Sequence, residues 1–161
     1  MASKPNCQLE INYQVPLSDD QARFEQAAQW VATRYEISLM QVSIAIVDDA
    51  TIQELNQEHL DHNWPTDVIS FLFESDEKSG SVEGEIIASA ETAIRLSADA
   101  HWRPEDELLL YIVHGLLHLA GLDDIEPQDQ VQMRAAERDC LLALGVVGAD
   151  KHLDRWNHVS Y

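Results

Sequence analysis

The alternation of apolar and polar residues in Leu9-Glu10-Ile11-Asn12-Tyr13-Gln14-Val15 has the two-residue period of a half-buried β-strand, and Pro16 stops it. From Ser18 the period lengthens. Ser18 and Gln21 have capping-box spacing, and Phe24, Ala27, Ala28, Val31 and Tyr35 recur at helical intervals, which predicts an amphipathic helix to about Glu36. The β-branched run Val42 to Val47 predicts a second strand, after which Asp48 or Asp49 caps a short helix carrying Ile52, Leu55 and His59. Leu60 to Pro65 reads as a loop. Thr66 to Phe73 and Gly84 to Ser89 read as two further strands, able to pair as a hairpin across the polar, glycine-bearing stretch Ser75 to Ser81. The remaining pattern is helical. One helix is expected over Ala90 to Ala100, a longer one from Pro104 to Ala120, and a last one from Pro127 through Met133, Ala136, Cys140 and Leu144, ended by Gly145. Residues 146–161 show no clear period and read as an irregular tail. Strands early and helices late, with mixed connections, predict an α+β fold with a mixed sheet of about four strands. A chain of 161 residues without internal repeats suits a single domain, 1–161.

Leu108 to Leu119 is apolar on nearly every side, including Ile112, Val113, Leu116 and Leu117, so this helix is expected to be buried around most of its circumference. Two histidines interrupt it. His114 and His118 are four residues apart and therefore share a helix face, with Cβ atoms roughly 6 Å apart. A polar ring without a partner in apolar surroundings costs about 1–3 kcal/mol, and one shared cation offsets that cost for both. Gly121 suits a left-handed C′ position, which reverses the chain and brings Asp124 back toward the histidines. These offsets match the metalloprotease pattern H-E-x-x-H-x-x-G-x-x-H, with Asp124 in the third ligand slot and Gly115 where the glutamate general base stands. The reading is therefore one Zn2+ held by His114, His118 and Asp124, with an open coordination position and without the peptidase base. Compared with a third imidazole, Asp124 cancels one unit of the metal's charge, which makes the metal a weaker attractor of phosphate. Asp123 is a candidate outer partner, its carboxylate fixing the N–H of a ligating ring.

Hydrophobic residues at 45% and charged residues at 24% give ordinary globular composition and exclude extended disorder. The stretch Met1 to Asn6 has no apolar run behind its lysine, and no segment has the roughly 18 apolar residues that span a bilayer, so a cytoplasmic, membrane-free protein is expected. Cys7 and Cys140 lack metal or disulfide spacing and are expected as reduced thiols. The formal net charge of −19 opposes polyanions and speaks against tight nucleic-acid binding; no DNA partner is expected. A bound metal reverses that sign locally. On the third predicted strand, Thr66, Asp67 and Ser70 could line a cleft and meet a phosphate or sugar, and Trp64 and Trp102 could stack bases if exposed.

Three segments in order, Pro65-Thr66-Asp67-Val68-Ile69-Ser70-Phe71, Gly84-Glu85-Ile86-Ile87 and His114-Gly115-Leu116-Leu117-His118-Leu119-Ala120-Gly121-Leu122-Asp123-Asp124, resemble the YbeY family of bacterial endoribonucleases over about Ile44 to Gly145. The resemblance implies a small zincin-like domain with a buried metal-bearing helix. It implies a zinc-dependent, single-strand-specific endoribonuclease that matures the 3′ end of small-subunit ribosomal RNA and serves ribosome quality control. Ribosomal RNA and the small ribosomal subunit are the implied partners. The chain departs from the family at Asp124, where most members have histidine, and at Glu85, where aspartate is common. A loop arginine of many members aligns with Leu60, and His62 nearby is the candidate to serve in its place. Two other classes compete: a metallopeptidase-like hydrolase of the same spacing, and a non-catalytic ribosome-binding module with a structural metal.

Overall fold

The computed structural model describes residues 3–17, 21–60 and 67–150. The elements, in chain order, are β1 (Asn6–Tyr13), α1 (Gln21–Arg34), β2 (Leu39–Val47), α2 (Asp49–Leu60), β3 (Val68–Asp76), β4 (Ser81–Ser89), α3 (Ala90–Ala100), α4 (Pro104–Leu119) and α5 (Pro127–Ala143). The four strands form one mixed sheet in the order β1-β2-β4-β3, with β1/β2 and β2/β4 parallel and β3/β4 antiparallel. The fold is α+β, as the sequence predicts. The expected β3–β4 hairpin is present, but β4 inserts between β2 and β3.

Burial explains the layers. Met40, Val42, Ile44 and Ile46 alternate along β2 and join Ile86 of β4 under a helical layer built from α1, α3, α4 and α5. A smaller cluster of Val47, Ile52, Ile69 and Ile87 holds α2 on the opposite face, at one end of the sheet. Gly84 is a packing requirement: a Cβ there would lie 2.7 Å from the Phe71 carbonyl oxygen and 2.6 Å from Leu119. The helix–sheet contact is therefore close where α4 ends.

Several elements differ from their expected bounds for identifiable reasons. β1 begins at Asn6, whose amide donates to the Ser38 carbonyl at 2.9 Å, and ends at Tyr13 instead of Val15. β2 starts at Leu39 because its neighbours supply a ladder on both sides. β4 starts at Ser81, where polar residues continue the pairing with Asp76, so the turn shortens to residues 77–80 with Gly80 at φ +71°. Asp48, not Asp49, caps α2: its Oδ1 accepts from the Thr51 amide at 2.7 Å. Asp49 instead ties α2 to α3, accepting from Ser89 Oγ and Thr92 Oγ1 at 2.6 Å each. The start of the expected irregular tail is anchored, with Val146 and Ala149 buried in the main core. The Ser18 cap lies outside the described residues. Both cysteines are free thiols, and burial pushes Cys140 up to about 12. Among the described residues, no helix is long and apolar enough to cross a membrane.

Candidate metal centre

α4 opens on Pro104 with Glu105, Asp106 and Glu107 in its first turn, where carboxylates offset the helix dipole, and is buried from Asp106 through Leu117. The sheet face of this helix is decided by Gly115. A Cβ at that position would lie 2.9 Å from Ile86 Cγ2 and 3.0 Å from both Cγ1 and Cδ1, inside normal contact. Position 115 therefore points into the sheet, and a glutamate there would drive into Ile86. The missing peptidase base reflects how closely this helix is seated.

At its other end α4 closes with a Schellman motif: the Gly121 amide donates to the His118 carbonyl and the Leu122 amide to the Leu117 carbonyl, each at 3.0 Å, with Gly121 at φ +107°. The reversal returns Asp124 over the last turn. His114 Nε2 and His118 Nε2 lie 3.0 Å apart, and each is 3.5 Å from a carboxylate oxygen of Asp124. Two ligands about 2.0–2.1 Å from one tetrahedral zinc sit about 3.3–3.4 Å apart, so these separations match a shared ion. The three side chains are the group that could hold a metal among the described residues.

The outer hydrogen bonds define what faces inward. His114 Nδ1 is 3.2 Å from Glu137 Oε1, and His118 Nδ1 is 3.0 Å from the Leu122 carbonyl oxygen. Each Nδ1 donates outward, so both Nε2 lone pairs and the Asp124 oxygens converge. Acceptors alone at such separations repel, and a shared metal ion, or a proton on His118, resolves the conflict. Burial opposes protonation of His118, but the hydrogen bond and charge of Asp124 outweigh it and hold its pKa above the ordinary value. The same contact with His118 holds Asp124 below the usual carboxylate range, against the opposing effect of burial.

Sequence reasoning missed the support from α5. Glu137 is fully buried, its Oε1 accepts from Arg134 Nη1 as well as from His114, and Arg134 Nη2 lies 3.8 Å from Asp124 Oδ2. A signal was present: Met133, Ala136 and Cys140 set the buried stripe of α5, and Arg134 and Glu137 fall on it. Asp123, the candidate outer partner, is exposed, and its Oδ1 accepts from the Asp124 amide at 2.8 Å, where it shapes the turn.

Asp67 is buried at the entry to β3, with Oδ1 accepting from the Val68 amide at 2.7 Å. Burial pushes its carboxyl pKa up, and the nearby His114 opposes the shift. Ser70 is half-buried on β3 opposite Ile86. Trp102 is half-buried against the core, and its Nε1 donates to Glu107 Oε1 at 2.7 Å. His62, Trp64 and Thr66 lie outside the described residues.

A family model described as Endoribonuclease YbeY matches residues 7–145, reaching well before the Ile44 limit of the motif resemblance. Proteins named Endoribonuclease YbeY are similar to this chain. One from Rhodopirellula baltica is 46% identical over 107 residues, covering 65% of this chain and 54% of that protein. The chain thus spans about half the length of that relative. Another from Salinibacter ruber is 35% identical over 143 residues, covering 84% and 91%, and one from Porphyromonas gingivalis is 38% identical over 119 residues, covering 72% and 77%. A Thermotoga maritima protein solved in solution shares the fold, with a TM-score of 0.60 at 19% identity, over 89% of this chain and 95% of that one.

Proposed function

The chain belongs to the YbeY endoribonuclease family, and from that premise we propose that it is a zinc-dependent, single-strand-specific endoribonuclease acting in ribosomal RNA maturation. Its target would be the 3′ end of small-subunit RNA, with the small ribosomal subunit as partner, a part in ribosome quality control and a cytoplasmic location. The observation that carries the metal-dependent reading is the convergence of two imidazole nitrogens and one carboxylate, with every other polar atom of the two rings tied outward.

His114, His118 and Asp124 would hold the ion. When bound, zinc would supply Lewis acidity at a phosphodiester oxygen or acidify a water. The protein's own groups do the positioning. Glu137 and the Leu122 carbonyl fix the ring orientations, and Asp123 braces the turn that presents Asp124. Ser70 from β3, with Asp67 and Thr66 before it, would line the substrate cleft, and His62 would supply the loop's polar contact. The acidic surface repels RNA at long range, but screening over about 8 Å in physiological salt confines that repulsion, leaving the local field of the centre to decide binding.

The peptidase alternative needs a carboxylate base beside the first histidine, and the packing of position 115 on Ile86 denies it one. A purified preparation never exposed to chelator should contain about one zinc per chain. It should cut single-stranded RNA and leave casein intact, and chelator should stop the cutting. The His114→Ala and His118→Ala variants should lose both metal and cleavage. Protein without stoichiometric metal, or RNA cleavage indifferent to chelator, would refute the proposal. Metal-dependent folding with no cleavage of any RNA would favour the non-catalytic module.

A further inference from the structure

Arg134 is nearly buried, yet it faces two carboxylates at once: it bonds Glu137 Oε1 and lies 3.8 Å from Asp124 Oδ2. Glu137 in turn holds the His114 ring. A guanidinium placed so is unusual beside a cation site, since it repels the ion it neighbours. Its placement makes sense as charge balance. A divalent ion with the Asp124 and Glu137 carboxylates is neutral; adding the Arg134 guanidinium leaves one net positive charge. A centre with a neutral third imidazole would have that same single positive charge with Glu137 alone. We propose that Arg134 is a positioning residue that offsets the charge of Asp124, so that an acidic third ligand is compatible with attraction for a phosphodiester.

The inference rests on the metal-centre reading above, and it adds to the sequence-based expectation that Asp124 weakens the pull on phosphate a guanidinium that offsets this loss. Arg134 acts through Asp124 and Glu137: it hydrogen-bonds the Glu137 carboxylate and faces the Asp124 carboxylate at ion-pair distance. The guanidinium's planar fork spans two carboxylates in a way an ammonium does not. Its position on α5 also ties the loop bearing Asp124 to the helix bearing Glu137, so both acidic groups keep their places relative to the two rings.

The test uses zinc-loaded full-length protein and inorganic phosphate as the probe, with binding followed by calorimetry and zinc affinity by competition with a chromophoric chelator. Four proteins are compared: wild type, Arg134→Met, Asp124→His and the double variant. Arg134→Met should weaken phosphate binding about tenfold, and Asp124→His should strengthen it about tenfold. The double variant should return to the wild-type value, because its net charge is the same. A purely structural Arg134 would not yield that restoration. Wild type and Arg134→Met binding phosphate equally, or a double variant no better than Arg134→Met, overturns the inference. If Arg134→Met does not fold, Asp124→His alone decides: no gain in phosphate affinity overturns it. Wild-type protein that takes up no zinc overturns the metal-centre reading itself, a result distinct from any of these.

Discussion

Replacing Gly115 by alanine separates two opposed effects whose sizes follow from the structure. In a helix interior, alanine is favoured over glycine by about 1 kcal/mol. Against that gain, the added methyl would sit 2.9–3.0 Å from three atoms of Ile86, whose side chain is fully buried and would have to shift within the core. Overpacking of this kind costs typically about 1–3 kcal/mol. Gly115→Ala should therefore be neutral to destabilising by about 2 kcal/mol, where an unjammed site would gain about 1. Ile86→Ala alone should cost about 2–5 kcal/mol through lost burial and a cavity. In the double variant the new methyl enters the space that Ile86 leaves, so the combined cost should fall short of the sum by about 1–3 kcal/mol. Urea unfolding of the four proteins in chelator gives each stability, with unchanged slopes confirming a common unfolded state. Costs that add within about 0.5 kcal/mol, or a Gly115→Ala protein more stable than wild type, would refute the account of how α4 is seated.

Other consequences are simpler to state. Glu137→Gln keeps an acceptor for His114 Nδ1 while removing the charge, so the fold should persist and zinc affinity should fall about 10–100-fold by chelator competition; an unchanged affinity would remove Glu137 from the centre. Saturating zinc at about 100 times its dissociation constant should stabilise the protein by about 2.7 kcal/mol, a rise in Tm of about 5–10 °C that His114→Ala abolishes. At Asp106, burial is outweighed by the hydrogen bonds and charges of Arg23 and Arg103, so its pKa lies below 3.8 when folded. The group's contribution is present in full above the unfolded value of 3.8 and is lost as pH falls through the lower folded value. Acid unfolding below pH 3.8 should therefore be steeper for wild type than for Asp106→Asn, and parallel curves would refute the pairing.

What the sequence disclosed was local. The period of β1 and β2, Pro104 and Pro127 opening α4 and α5, and the glycines closing both helices all reflect interactions within a few residues. Glu36 and His101 also end helices, at φ 58° and 59°, yet neither side chain announces a left-handed position. The place of β4 beside β2 was not legible, because strand order depends on how α3 and α4 cover the sheet. At the centre the division is the same. His114, His118 and Asp124 are joined by one helix turn and its reversal, and their spacing reveals them. Glu137 reaches His114 from 23 residues away, a contact set by the packing of α5 on α4.

The two departures from the peptidase pattern have different causes, and each lies far off in the chain. Gly115 answers to Ile86 on β4: the helix must approach the sheet closely, and any side chain at that position works against the seating that aligns the rings. Asp124 answers to Arg134 on α5, whose guanidinium reaches both acidic groups of the centre. A motif read only along α4 registers two missing residues. Seen with β4 and α5 in place, glycine is what lets the helix settle, and aspartate is tolerable because a cation stands behind it. Reinstating a glutamate at 115 would therefore not convert the centre into a peptidase; the carboxylate would meet Ile86, and the helix carrying both histidines would lift from the sheet.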